Sequence, residues 1–539
     1  MFSLILCIFK PIMYSMKNIV VFNAVNLSKY AFEKLFDSKC AVKMSFEWAK
    51  SLFFCSEIVY FCDEKTETLL KNESFNDIEF RDLKFITDKF ENWNIEKLFL
   101  ELKSVSEGFD NIIYAFADSP FYDKNLTEEL YKMHTKYYSE YCFADGYPAG
   151  IVPEIFCRDL PNILFSVCSD KNIYDKLLTR QAIFETLKTD INSFDIETLI
   201  SDHDYRYLRF NFACNSKHNA LLCKRAFDEY KKNAQEINPI EICKIAEKSE
   251  RCLRILPAYY NIQIIGKNRK TIYLPETSSQ LSNIKMSLKD FKTLIEKIAD
   301  YSQEAVINIS YMCEATEHEE FVDFVKTVLA KPHLSVLIET SGKNITDKMV
   351  SEIAQAVNNL TNSTDLKNIS MEKIYWLVCL DAVSEQMYKK VNCDETQMTL
   401  AKATEAYEVL KKHFGNKVYP QFMRMNENEE ELESFYRYWK SQNDGNLIVQ
   451  KYDNYCGLLP NRKVADLSPI VRNPCWQLRR EMHILANGKV TKCKECVESE
   501  IIGDAFSENL NDIFEKNIFF DVKENERCRN CDEYYTFNF

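Results

Sequence analysis

The chain reads as an α/β protein of two or three domains, each built on a largely parallel sheet. Three observations carry that expectation. Its 539 residues exceed what one hydrophobic core holds. Short apolar runs alternate with stretches of helical periodicity through both halves, the pattern of strands covered by helices on both faces. The composition, 46% apolar and 28% charged, is that of a globular chain.

The opening MFSLILCIFKPIMYSM resembles a weak leader. Its apolar run, Phe2 to Phe9, is too short to span a bilayer, no positive segment precedes it and no small-residue cleavage site follows. Met16 is an alternative start, since it opens the strand KNIVVFNA. No other stretch reaches the roughly 18 apolar residues of a membrane span, so a cytoplasmic protein without a span is expected. Ile19–Phe22, Ile58–Phe61 and Ile112–Phe116 read as buried strands, the last ending at Ala117-Asp118-Ser119-Pro120. Residues 170–250 look mostly helical and charged. From about 255 the alternation restarts. Ile262–Ile265 hands over to a loop, Gly266-Lys-Asn-Arg-Lys-Thr-Ile-Tyr-Leu-Pro275. Ser287-Leu-Lys-Asp290 is a capping box, expected to satisfy orphan amides with the Ser oxygen and the carboxylate. The helix behind it places Phe291, Leu294, Ile295 and Ile298 on one stripe. Ala305–Ile309, Leu334–Ile338, Ile374–Leu380 and Val418–Met423 read as further strands. Phe321, Phe324, Val325 and Val328 stripe an intervening helix that Pro332 ends. Repeated βα units of this length predict a full or partial barrel, with chemistry at the carboxyl ends of its strands. The loop after Ile265 lies at such an end.

Charge and glycine content exclude several function classes. A net charge of −13 and a pI near 5.3 oppose a nucleic-acid binder, which needs a basic face to displace counterions. Only 10 glycines occur, and only Gly146 and Gly150 lie close together. Phosphate-cradling loops need clustered glycines, so a P-loop and a GxGxxG turn are both excluded. Gly266-Lys267 is no exception, because Asn268 stands where Ser or Thr is required.

Of 20 cysteines, most are scattered singly through apolar stretches, as at Cys55, Cys62, Cys168 and Cys379, where cysteine is a small core hydrophobe. The tail concentrates them. Cys475 is followed by twelve residues, Gly488, four residues and Cys493; Cys528 and Cys531 form a C-x-x-C. Asn487-Gly488 is a hairpin turn signal that would fold Cys493 back toward Cys475. Four thiolates on two such arms make an S4 site, which suits zinc or an iron–sulfur cluster. Cys496, which forms a second C-x-x-C with Cys493, is a rival ligand. The distribution fits a reducing compartment with one metal site better than a disulfide framework.

This tail resembles the SPASM/twitch region of radical SAM enzymes. The resemblance implies one auxiliary [4Fe–4S] cluster held by Cys475, Cys493, Cys528 and Cys531. Radical SAM cores are partial (β/α)6 barrels that carry CxxxCxxC after the first strand, often before Pro. Anchored on Pro275, the three cysteine positions fall on Lys267, Thr271 and Leu274, which offer no thiolate. Cys313-Glu314-Ala315 resembles the family's Gly-Glu-Pro, with Glu314 at the position that would bind the amino group of S-adenosylmethionine. Glu339-Thr-Ser-Gly342 and Leu380-Asp381 resemble other strand ends of such barrels. The resemblance therefore implies a barrel whose radical-generating cluster is absent and for which S-adenosylmethionine is not expected.

The N-terminal region resembles GT-A/Rossmann-like nucleotidyltransferases of the cytidylyltransferase group, through Tyr114-Ala-Phe-Ala-Asp118-Ser-Pro120, Asp145-Gly-Tyr-Pro-Ala-Gly150 and Glu154. That likeness implies Mg²⁺ or Mn²⁺ at Asp118, bridging nucleotide phosphates. The family's Gly- and Arg-rich first loop is replaced by Asn23-Ala-Val-Asn-Leu-Ser-Lys29. Asp204, Arg206 and Arg209 form either an anion clamp or a solvated ion-pair face. The whole order resembles the proteins called spiro-SPASM: a nucleotidyltransferase-like domain at 16–240, a degenerate barrel at 250–465 and a SPASM/twitch domain at 470–539. Three functions remain open. The first is an iron–sulfur protein with a lost radical centre, the second a nucleotidyl or glycosyl transferase of envelope metabolism, and the third a non-catalytic binding protein. The partner would be a small molecule or a protein. His318 and His483 are expected to be structural rather than ligands.

Overall fold

The computed structural model describes residues 16–71, 83–171, 178–232, 236–361, 373–393, 398–465, 475–516 and 525–531. The leader-like run lies outside them. The chain divides into two compact units, Met1–Leu253 and Arg254–Phe539, so the barrel-like region and the tail share the second unit.

In the first unit a seven-stranded sheet runs in the order β3-β2-β1-β4-β6-β5-β7. Its strands are β1 (Asn18–Ala24), β2 (Cys55–Asp63), β3 (Lys84–Asp88), β4 (Asn111–Phe116), β5 (Tyr141–Asp145), β6 (Glu154–Cys157) and β7 (Ile196–Ile200). Pairing is parallel except at β6, which lies antiparallel between β4 and β5. Successive side chains on a strand point to opposite faces. Val20, Phe22, Tyr60, Cys62, Ile113 and Ala115 accordingly build one core, and Ile19, Val21, Val59, Phe61, Ile112 and Tyr114 the other. The helix Ala41–Ser51 covers the first core with Val42, Phe46 and Ala49. The helix Ile95–Val105 covers the second with Leu98, Phe99 and Leu102. The mostly helical reading of 170–250 misses β7, whose half-buried edge carries no continuous apolar run.

The second unit contains β8 (Tyr259–Ile262), β9 (Ala305–Asn308), β10 (Leu334–Thr340), β11 (Ile374–Cys379), β12 (Val418–Arg424) and β13 (Ile448–Lys451). These six are parallel and adjacent in chain order, with helices between them, the (β/α)6 pattern. One core runs between sheet and helices. Phe291, Leu294, Ile295 and Ile298 are all fully buried on the helix Leu288–Ser302. Ser287 Oγ accepts from Asp290 N at 3.1 Å, as a capping box requires, but the Asp290 carboxylate accepts from the Ser287 hydroxyl at 2.7 Å rather than from an amide. The strand β8 ends at Ile262, three residues earlier than the apolar run, and Ile264 and Ile265 continue into the core as loop.

The tail extends this same sheet. Its strands are β14 (Glu481–Ile484), β15 (Lys489–Thr491) and β16 (Ile501–Asp504), of which β14 lies parallel to β8 and the other two follow antiparallel. Among the described residues no helix is long and apolar enough to cross a membrane.

Candidate functional site

Six thiols converge in the tail. The turn Tyr455–Gly457 after β13 supplies Cys456, and Cys475 precedes the short helix leading into β14. The β14–β15 hairpin pairs His483 with Thr491 around Asn487-Gly488 and returns the chain to Cys493 and Cys496. Gly488 has φ +80°, and a Cβ there would lie 2.4 Å from the Phe506 ring, so both the turn and its packing require glycine. The helix Glu526–Asn530 brings in Cys528, and Cys531 follows it. All six line one cavity, together with Glu495 and Arg527.

Two pairs within the six are close. Cys493 and Cys496 have their sulfurs 3.6 Å apart. The donor atoms of Cys456, Cys531 and Glu495 all lie within 4.8 Å of one another, the single group of three or more potential ligands at that spacing among the described residues. Burial pushes Cys475 up to about 12 and Cys528 up to about 11, whereas a hydrogen bond from Cys493 holds Cys496 below its ordinary value. Ligation by these thiols would therefore release protons. Six soft donors around one cavity, Cys496 buried and the others half-buried, match an S4 centre, and the donor set fits an iron–sulfur cluster or zinc. Cys456, which sequence reasoning missed, carries no local signal: it stands alone in the sequence, like the core thiols.

The carboxyl ends of the parallel strands are built differently. Lys267 and Thr271 line a cleft there, whereas Leu274 packs against apolar side chains that include Leu281 and Tyr311. Their neighbour Arg269 turns inward, its side chain only 6% exposed. It donates to Glu339 Oε2 at 3.1 Å and to Cys379 Sγ at 3.0 Å. Burial raises the Cys379 thiol to about 12. The other strand-end thiol, Cys313, is buried and donates to the Ile309 carbonyl. Glu314 accepts from Thr316 Oγ1 at 2.8 Å, Thr340 Oγ1 at 2.6 Å, Ser341 N at 2.8 Å and Ser341 Oγ at 2.6 Å. The carboxylate that resembles a cofactor contact thus ties strand ends together. Asp381, at φ +57°, accepts from Tyr273 Oη at 3.0 Å and Met423 N at 2.7 Å, and burial raises it to about 6. His318 bonds the Met286 carbonyl and His483 bonds Asn261, structural roles for both.

In the first unit Asp118 is buried, and both its oxygens accept from Arg180 Nη1 at 2.9 Å. Arg180 also donates to Ser119 Oγ at 3.1 Å and lies 3.8 Å above the Phe116 ring. A divalent cation at Asp118 would have to displace that guanidinium. Arg206 pairs with Asp204 and Asp145 on an exposed face. Glu154 has a buried, unpartnered Oε2, and burial raises the carboxyl to about 7.

Residues 475–532 match the SPASM family, described as an iron–sulfur cluster-binding domain. A protein of Treponema pallidum (strain Nichols), described as uncharacterized, is 38% identical over 369 residues, 66% of this chain and 98% of the relative. The chain belongs to that protein's family. A second uncharacterized Treponema pallidum protein is 31% identical over 80 residues, 15% of this family member and 36% of the relative. Similar solved structures include Streptococcus suis SuiB bound to the precursor peptide SuiA, at TM-score 0.40 and 13% identity over 56% of this chain and 77% of that one. Another is a cytidylyltransferase from Leptospira borgpetersenii, at TM-score 0.34 and 14% identity over 43% and 94%.

Proposed function

We propose that this protein is an iron–sulfur protein of radical SAM/SPASM ancestry that keeps one auxiliary [4Fe–4S] cluster in its tail and has lost the radical-generating cluster of its barrel. The observation that carries the reading is the contrast between two sites in one unit. Six thiols surround the tail cavity. At the strand ends, Lys267, Thr271 and Leu274 stand at the thiolate positions and the Arg269 guanidinium fills the interior beside Cys379.

The six thiols exceed what one cluster needs. A [4Fe–4S] cluster would take four thiolates, which we assign to Cys475, Cys493, Cys528 and Cys531. Cys496, beside Cys493, and Cys456, beside Cys531, are the alternative ligands. When bound, such a cluster supplies one-electron transfer and a covalent tie between the arms. The chain's own residues shape its surroundings: Arg527 donates to the Glu495 carbonyl and to Ser499 Oγ, fixing a cation at the cavity wall. The Arg180–Asp118 pair speaks against a metal-dependent nucleotidyl transfer at Asp118.

The test is iron, acid-labile sulfide and zinc per chain on anaerobically purified protein, with Cys456→Ser and Cys528→Ser beside the wild type. About four irons and four sulfides are expected, lost in Cys528→Ser. About eight irons would sink the lost-centre reading, and one zinc without iron would make the tail a structural site.

A further inference from the structure

The loop after β8 leaves a cleft of about 330 Å³ at the carboxyl ends of the strands, lined by Lys267, Arg269, Lys270, Thr271, Lys343 and Tyr388 among others. That volume is at the lower end of the range for small-molecule sites.

Its charge balance is positive. Glu317 is paired with Lys343 and Glu339 with Arg269, and Glu314, held by neutral hydroxyl and amide donors, leaves one negative charge against Lys267 and Lys270. Lys267 and Lys270 are exposed and, among the described residues, in no ion pair. Two free cations at the mouth of a cleft stand out in a chain of net charge −13.

Its walls also hold donors without acceptors. Arg269 Nε, Thr271 Oγ1 and Tyr388 Oη are all buried and make no hydrogen bond. Tyr388 is 1% exposed and the Arg269 side chain 6%. Leaving such groups unpaired costs free energy, which a bound acceptor would recover once a shift of the wall opens them to the cleft. Surplus positive charge and unpaired donors together describe a site for an oxyanion.

We propose that this cleft binds a small molecule through its phosphate or carboxylate group, with Lys267 and Lys270 supplying charge and Thr271 and Tyr388 supplying hydroxyl donors. The site goes beyond the iron–sulfur reading and does not depend on which metal the tail holds. A lining of this sign also disfavours a cationic sulfonium ligand.

The experiment is thermal unfolding of the full-length protein at constant ionic strength with inorganic phosphate, pyrophosphate, citrate or S-adenosylmethionine, with sodium chloride as the control. A ligand that binds only the native state must raise the midpoint saturably. The expected result is such a rise with at least one of the three anions. Apparent affinity should fall roughly tenfold or more in the Lys267→Ala/Lys270→Ala double variant, whose side chains are exposed. Tyr388→Phe should weaken binding while retaining the ring. Response to phosphate and pyrophosphate but not citrate assigns a phosphorylated ligand, and the reverse assigns a polycarboxylate. No saturable rise with any anion at millimolar concentration, an undiminished rise in the double variant, or a response to S-adenosylmethionine alone would each overturn the proposal. Metal content of the same samples keeps this outcome separate from that of the tail.

Discussion

Replacing Arg180 by Met asks directly what Asp118 is for. The Asp118 side chain is 3% exposed and the Arg180 side chain 30%. The substitution leaves a buried carboxylate whose two oxygens have lost their donor, while methionine keeps an apolar contact on the Phe116 ring. Breaking a buried ion pair from one side costs about 3–5 kcal/mol. Water reaches the partly exposed arginine end, which places this case near the lower value, about 3 kcal/mol. For a unit of this size each kcal/mol moves the melting midpoint by about 2–4 °C, so a fall of roughly 6–12 °C is expected for the first unit. Calorimetry gives the midpoint, and hydrogen exchange over β1 and β4 assigns it to this unit. The double variant Arg180→Met/Asp118→Asn should recover most of the loss, because a neutral amide carries no uncompensated charge. A loss below about 1 kcal/mol for the single variant would refute the reasoning. So would a rise of the wild-type midpoint with millimolar Mn²⁺ that Asp118→Asn abolishes, since that would make Asp118 a ligand that releases its arginine.

Glu154 gives a pH-dependent counterpart. Its carboxyl is raised from 4.5 to about 7 by burial, so its contribution to stability is complete below pH 4.5 and is lost as pH rises through 7. Glu154→Gln should therefore gain up to about 3 kcal/mol relative to the wild type between pH 4.5 and 8. Urea midpoints across that range measure the difference, and a pH-independent one would show that Glu154 titrates normally. Gly266→Ala tests the loop after β8: an added Cβ would sit 1.9 Å from the Leu281 carbonyl oxygen, a backbone atom that cannot swing away. A loss of about 1–3 kcal/mol in the second unit is expected by urea titration, and a neutral result would show that this loop shifts freely.

What the sequence made legible follows burial. The strands β1, β4, β10 and β11 are largely apolar, almost wholly buried runs because both faces of their sheets are covered. The shorter β3, β5, β6, β7 and β13 have partly exposed patterns and polar ends, and their existence is decided by neighbours rather than by local sequence. The tail thiols were readable because they cluster and flank a turn signal. Cys456 was not, since it reaches them only through the packing of its turn against the last helix. The loop after β8 shows the same limit. The radical SAM resemblance points to Lys267, Thr271 and Leu274, yet Arg269 occupies the interior, because the fold, not the spacing, decides which side chain of an irregular loop turns inward. Arg180 stands 62 positions from its partner Asp118 in a stretch with no pattern of its own.

The pairing of β14 with β8 bears on how the protein is made. Asn261 and His483, hydrogen-bonded across that seam, lie 222 positions apart. At about 5–20 residues per second, a ribosome exposes β8 for roughly 10–45 s before β14 arrives to cover it. During that interval the strand offers unpaired backbone groups to any other chain, the usual origin of edge-to-edge aggregation. Cys475 and Cys493 bracket the hairpin that ends the exposure, so the segment that seals the sheet also carries two of the tail thiols. If the hairpin needs its metal to close, iron-starved cells should accumulate the whole chain in inclusion bodies, which a soluble-to-pellet comparison measures.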